Sequence, residues 1–210
     1  MKTVYLLRVL LIAIACAGWP VSARADEPPR ILEAGEQPIL PDEYASVSTE
    51  LFGCFDCHGV SGESADPEFP ILSGQHFYYL YVQLKDFKAG RRASEIMQPM
   101  VGELSKGQMK LIAQYFSEQE WPRTGFKGDP AITAKGETAS GAGQCVQCHR
   151  GGFDGDSRVP RLAGQQRAYL FKTLMDFKNK VRMNSPSKSS LMNSFEEADI
   201  DAMAEYLADF

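Results

Sequence analysis

The 210 residues carry 22 Lys and Arg against 27 Asp and Glu, a net charge of −5, and 44% of the side chains are hydrophobic. That length allows one or two small domains, and an acidic balance without a recognised binding motif argues against a nucleic-acid binder. Five cysteines and three histidines bound the metal and redox chemistry available.

Residues 1–25 open with Lys2 and Arg8, continue through an apolar run at 9–17, and end in Ala23-Arg24-Ala25. This is the layout of a cleaved secretory signal peptide, and the run is shorter than the ~20 residues a membrane span needs. A lipoprotein cut before Cys16 is disfavoured, because Ala13 stands where a leucine is wanted. Cleavage after Ala25 removes Cys16 and three bases, leaving four cysteines and a net charge of −8. The expected destination is the periplasm. Residues 26–41 hold four prolines among acids and read as an extended leader.

Cys54-Phe55-Asp56-Cys57-His58 follows, and Cys145-Val146-Gln147-Cys148-His149 repeats it 91 residues later. Cys-x-x-Cys-His is the attachment signature of a c-type haem. Two thiols at this spacing reach both vinyl groups of one porphyrin, and the adjoining imidazole becomes the proximal ligand of the iron. A structural zinc site would require a second ligand pair down the chain, and a redox dithiol would adjoin a βαβ pattern. Neither is found. The cofactors implied are two covalent haem c groups, on Cys54 and Cys57 with His58, and on Cys145 and Cys148 with His149.

The repeat extends well beyond the motifs. Pro70-Ile71-Leu72-Ser73-Gly74-Gln75 pairs with Pro160-Arg161-Leu162-Ala163-Gly164-Gln165, and Asp86-Phe87-Lys88 with Asp176-Phe177-Lys178. Phe77, Leu80, Leu84 and Phe87 lie at steps of three and four, which predicts a helix near 75–89 with one apolar face. Leu170, Leu174 and Phe177 repeat three of those positions. Ser105 and Gln108 have capping-box spacing, before a stripe of Met109, Ile112, Ala113 and Phe116. Ile200, Met203, Ala204 and Leu207 copy that stripe. A further helix is predicted before each motif, at 41–52 and, weakened by Gly136, at 132–138. His76 reads as a helix-start residue, and Asp154 and Asp156 as turn residues.

Taken together, these motifs resemble the dihaem cytochrome c4 family over residues 42–210. The resemblance implies an all-α fold of two tandem class I cytochrome c domains related by pseudo-twofold symmetry, at 42–125 and 126–210. It implies a non-catalytic carrier passing single electrons between periplasmic or membrane-bound redox partners. The alternative is the haem subunit of an oxidoreductase, like the flavocytochrome c sulfide dehydrogenase, or a haem enzyme acting on a small inorganic substrate at the second haem. The family pattern sets the sixth ligand seven residues before Leu104, at Met97, and leaves Met100 to packing. The same count back from Phe195 falls on Lys188. Met192 serves as the second ligand if about one helical turn has been deleted after it; Lys188 and Met183 are the alternatives.

Purified mature protein is expected to hold two haems that survive acid-acetone extraction. Cys54→Ala or Cys145→Ala should impair attachment in its own half alone, read by mass spectrometry of the peptides. A single haem, or zinc, in the intact protein would overturn this reading.

Overall fold

The computed structural model describes residues 38–210, so the expected signal peptide and most of the leader lie outside the described residues. A 3-10 turn at Asp42–Val47 leads into α1 (Ser48–His58), followed by α2 (Phe77–Lys88), α3 (Met97–Val101) and α4 (Lys106–Ser117). The second half repeats the order as α5 (Pro130–Ala142), α6 (Val146–His149), α7 (Arg167–Lys178), α8 (Pro186–Met192) and α9 (Glu197–Ala208). Strand pairing among the described residues is limited to the isolated bridges Arg92–Arg182 and Asp156–Val159. The architecture is all-α, as the periodicity required.

The last helix of each half starts and packs as its pattern predicts. Ser105 Oγ accepts the Gln108 N–H at 3.2 Å while Gln108 Oε1 accepts the Ser105 N–H at 2.9 Å. Met109, Ile112, Ala113 and Phe116 are buried, and so are Ile200, Met203, Ala204 and Leu207. In α2, Leu80 and Phe87 are buried, but Phe77 is 38% exposed and stacks on Tyr81 at 6.3 Å. Its position in the first turn puts it past the rim of the core. His76 is the N-cap residue of α2, and its ring nitrogen meets the Asp154 carbonyl at 2.8 Å.

The helices before the two haem motifs depart from expectation. Residues 42–47 form a 3-10 turn, and α1 then runs through Cys54 and Cys57 to His58. In the second half, α5 passes straight through Gly136 and ends before the motif, with Gln144 in the left-handed region at φ 51°. Gly136 does not weaken α5; it permits the crossing with α9. A Cβ there would lie 2.0 Å from the Ala202 carbonyl oxygen. The first half fills its centre with Tyr44, Val47, Leu51 and Phe116, whereas the second brings two backbones together.

Residues Gln37–Phe210 form one compact unit, and the repeated glutamines link its two halves. Gln165 accepts the Ile71 N–H at 2.8 Å and donates to the Ile71 carbonyl at 3.0 Å. Gln75 does the same to Arg161, at 2.9 and 3.0 Å. Each side-chain amide imitates a neighbouring β-strand, satisfying a buried peptide that would otherwise cost free energy. Gly74 and Gly164, both at positive φ, turn these segments and donate to the carbonyls of Phe116 and Leu207. Arg92 donates to Tyr169 at 2.9 Å and Arg182 to Tyr79 at 3.3 Å, crossing the same pseudo-twofold axis. Burial acts to raise the Tyr169 phenol, but the two guanidiniums outweigh it and hold its pKa below the ordinary phenol range.

Gly136→Ala should destabilise the holoprotein by about 1–3 kcal/mol, the usual cost of overpacking. Gly141→Ala, in the same helix with nothing within 4 Å of the added methyl, should stabilise it by up to about 1 kcal/mol. Denaturant titration of both variants checks the contrast.

Candidate haem sites

Each proximal histidine is set in one orientation by a backbone carbonyl. His58 Nδ1 donates to the Pro70 carbonyl at 3.0 Å, and His149 Nδ1 to the Pro160 carbonyl at 2.9 Å. Both rings are buried, at 5% and 3% exposure. Burial lowers the pKa of His58, and the Pro70 contact only partly opposes it. For His149, burial and then the Lys188 cation bring it down to about 4 against the raising effect of Pro160. Both imidazoles are therefore neutral at pH 7, with the proton on Nδ1 and the lone pair on Nε2, the form that binds a metal. The role of Pro70 and Pro160 went unread in the sequence, although the repeat does align the two prolines.

None of the four motif cysteines is paired in a disulfide. Cys54 Sγ donates to the Glu50 carbonyl at 3.1 Å, and burial, followed by nearby Glu50, pushes its thiol up to about 12. Cys145 is raised by burial as well. A redox-active dithiol depends on a lowered pKa, and Cys54 and Cys145 are shifted the other way. Among the described residues no three His, Cys, Asp or Glu side chains converge on a common metal position. The zinc and dithiol readings thus lack their geometry, whereas thiols destined for thioether bonds need neither.

On the sixth-ligand side, Met97 is half-buried against the first core and Met100 is exposed. In the second half Lys188 Nζ stands 3.1 Å from His149 Nε2. The ammonium sits on the imidazole lone pair, where an electron-pair acceptor such as iron belongs, so the residues present fit a haem. Met192 is 1% exposed and Met183 is 64% exposed. The deletion that would bring Met192 into the ligand register is not found. Leu104 N–H donates to Val101 at 3.1 Å, and Phe195 N–H donates to Met192 at 3.2 Å. Lys88 Nζ reaches the Leu104 carbonyl at 2.8 Å and Lys178 Nζ the Phe195 carbonyl at 2.5 Å. Met192 therefore corresponds to buried Val101, and Lys188 to Met97. Asp156 pairs with Arg150 at 2.5 Å and bridges to Val159, and the Asp154 carbonyl meets the His76 ring.

Charge around the two attachment sites is unequal. Between Cys57 and Pro70 the first loop exposes Glu63, Asp66 and Glu68 and has no Lys or Arg. Between Cys148 and Pro160 the second balances Asp154 and Asp156 with Arg150 and Arg158.

Comparison with known proteins bears directly on this arrangement. The Cytochrome c family model matches residues 133–210, the second half. Cytochrome c4 of Thiocapsa roseopersicina is 35% identical over 182 residues, covering 81% of this chain and 93% of that protein. The thiosulfate dehydrogenase electron acceptor of Stutzerimonas stutzeri is 30% identical over 173 residues, covering 74% and 77%. The crystal structure of reduced cytochrome c4 from Pseudomonas stutzeri superimposes with a TM-score of 0.69 at 33% identity, over 76% of this chain and 94% of that one. With a relative 35% identical and matched over 93% of its length, a solved structure matched over 94% of its own, and a haem-attachment motif in each half, the chain belongs to the cytochrome c4 family of dihaem, electron-carrying c-type cytochromes.

Proposed function

We propose that the chain is an exported, freely diffusing carrier that takes single electrons from one redox protein and delivers them to another in the periplasm. Its domains are residues 42–125, with haem on Cys54 and Cys57, and 126–210, with haem on Cys145 and Cys148. His58 and His149 are the proximal ligands and Met97 is the sixth ligand of the first iron. The observation that supports this most directly is the chain of contacts joining the two histidines to the opposite halves. His58 is held by Pro70, whose neighbour Ile71 is held by Gln165; His149 is held by Pro160, whose neighbour Arg161 is held by Gln75. Such a link resists relative motion of the two centres, which favours repeated electron exchange over an open catalytic site.

Bound haem supplies reversible one-electron exchange at its iron. The protein's part is to hold the imidazole lone pairs in place, to keep water from the buried faces and to present charge to partners. A thioether from Met97 would serve as the other protein ligand of the iron held by His58 and would favour its reduced form. Among the described residues no helix is long and apolar enough to cross a membrane. A sulfur-oxidising dehydrogenase is the partner class that the similarity to a thiosulfate dehydrogenase electron acceptor favours.

Met97→Ala should open the first iron to carbon monoxide or cyanide and lower its potential, leaving the second haem as in the parent. Ligand binding and potential equal to the parent's would remove Met97 from the site. The acidic first loop should steer encounter with a basic partner surface, an effect of ~10 to 10³ in rate that salt screens. Stopped-flow reduction by a purified thiosulfate dehydrogenase should therefore slow steeply from low salt to about 0.5 M. A flat profile would favour apolar docking at the haem edge, and no reduction at all would remove this enzyme as donor.

A further inference from the structure

The two halves share a fold and differ at one position that decides their chemistry. We propose that Lys188 Nζ is the sixth ligand of the second haem iron, so that the molecule pairs a His–Met haem with a His–Lys haem. This rests on the reading of His149 as the proximal ligand.

Three independent observations lead there. The first is register. α3 and α8 end on the same hydrogen bond, Leu104 to Val101 in one and Phe195 to Met192 in the other, and the same lysine pair caps both turns. Counting back from these fixed points, Lys188 occupies the place of Met97. The second is direction. Lys188 Nζ lies 3.1 Å from His149 Nε2, the nitrogen left bare because Nδ1 serves Pro160. A metal bound by both nitrogens would stand between them and need a wider gap than 3.1 Å. The flexible four-carbon stem of the lysine can retreat to make that room. The third is the lack of any other partner. Lys188 forms no ion pair with Asp or Glu among the described residues, and the imidazole is its hydrogen-bond partner there.

The competing side chains are otherwise engaged. Met192 lies four residues on, on the same face of α8, and at 1% exposure it fills the core position that Val101 fills at 2%. Met183 is 64% exposed and precedes α8. His76 is committed to the Asp154 carbonyl. Coordination needs the amine lone pair, so the ammonium releases one proton to solvent as the iron takes its place on both nitrogens.

A thioether raises the potential of a haem iron, and an amine, a pure electron donor, favours the ferric state. With Lys188 as its ligand, the second haem would be the lower-potential centre of the two.

The test uses the mature holoprotein, with haem content from the pyridine haemochrome and ligation from low-temperature electron paramagnetic resonance and the near-infrared charge-transfer bands of the ferric form. The parent should show two haems per chain, one methionine-type and one amine-type. Lys188→Met should convert the second to a methionine-type signal and raise its potential. Lys188→Ala should abolish the amine-type signal and admit cyanide at that haem, while Met192→Leu, which cannot ligate but fills the same volume, should match the parent. Two haems with two methionine-type signals in the parent would overturn the lysine assignment and leave His149 standing. A second haem whose imidazole signature survives His149→Ala would overturn the proximal reading itself. Should Lys188→Ala fail to fold, the Lys188→Met spectrum decides alone, and its identity with the parent's would sink the proposal.

Discussion

A proximal imidazole binds iron only with one nitrogen protonated and the other bare, and the carbonyls of Pro70 and Pro160 impose that state on His58 and His149. Much of the surrounding structure serves to hold those two carbonyls still. Gln165 and Gln75 clamp the next peptide in each case, Gly74 and Gly164 anchor the same segments to the ends of α4 and α9, and Ile71 is itself buried. A proline carbonyl is well suited to the task, because a fixed φ leaves the preceding segment little freedom to swing the peptide away. The ligand sphere is thus governed by backbone geometry set in the other half of the molecule.

The halves reach the same arrangement through different interiors. The first is centred on aromatic packing, with Tyr44 and Tyr115 edge to face at 5.1 Å and Phe116 beside them. The second closes α5 on α9 through Gly136 and buries Ala202, Ala204 and Ala208 along the contact. Large side chains give the first half its apolar burial, and close backbone approach gives the second its dispersion contacts. Arg92 and Arg182 repeat across the axis, each over a phenylalanine, Phe87 at 4.4 Å and Phe177 at 4.5 Å. Symmetry is kept at the interface and relaxed in the cores.

What could be read from the chain followed the range of each interaction. The haem motifs, the capping box at Ser105 and the stripes of α4 and α9 depend on residues a few positions apart, and the sequence displays them directly. The role of Gly136 depends on Ala202, 66 positions away in the chain, so locally it looked only like a helix weakener. Phe77 satisfies the helical period, yet its place at the end of α2 decides its exposure, which periodicity does not encode. Pro70 and Pro160 act through main-chain oxygens that no side-chain pattern reports. In α8, counting alone left Lys188, Met192 and Met183 open, because chemical preference for a thioether competed with register. The paired hydrogen bonds at the ends of α3 and α8 align the two helices without any appeal to preference.

The exchange between Gln75 and Gln165 has a consequence for how such a molecule is assembled. Each half offers both the glutamine and the peptide that the other's glutamine needs, so the contact is isologous: two identical copies of one half would satisfy it equally well. Residues 118–129, which connect α4 to α5, add no element to that contact. They convert a meeting between separate molecules into one at a high local concentration. Once joined covalently, each half was free to diverge wherever its partner's glutamine did not reach. Position 188 and the packing around Gly136 lie outside that reach, whereas the two glutamines themselves remain identical.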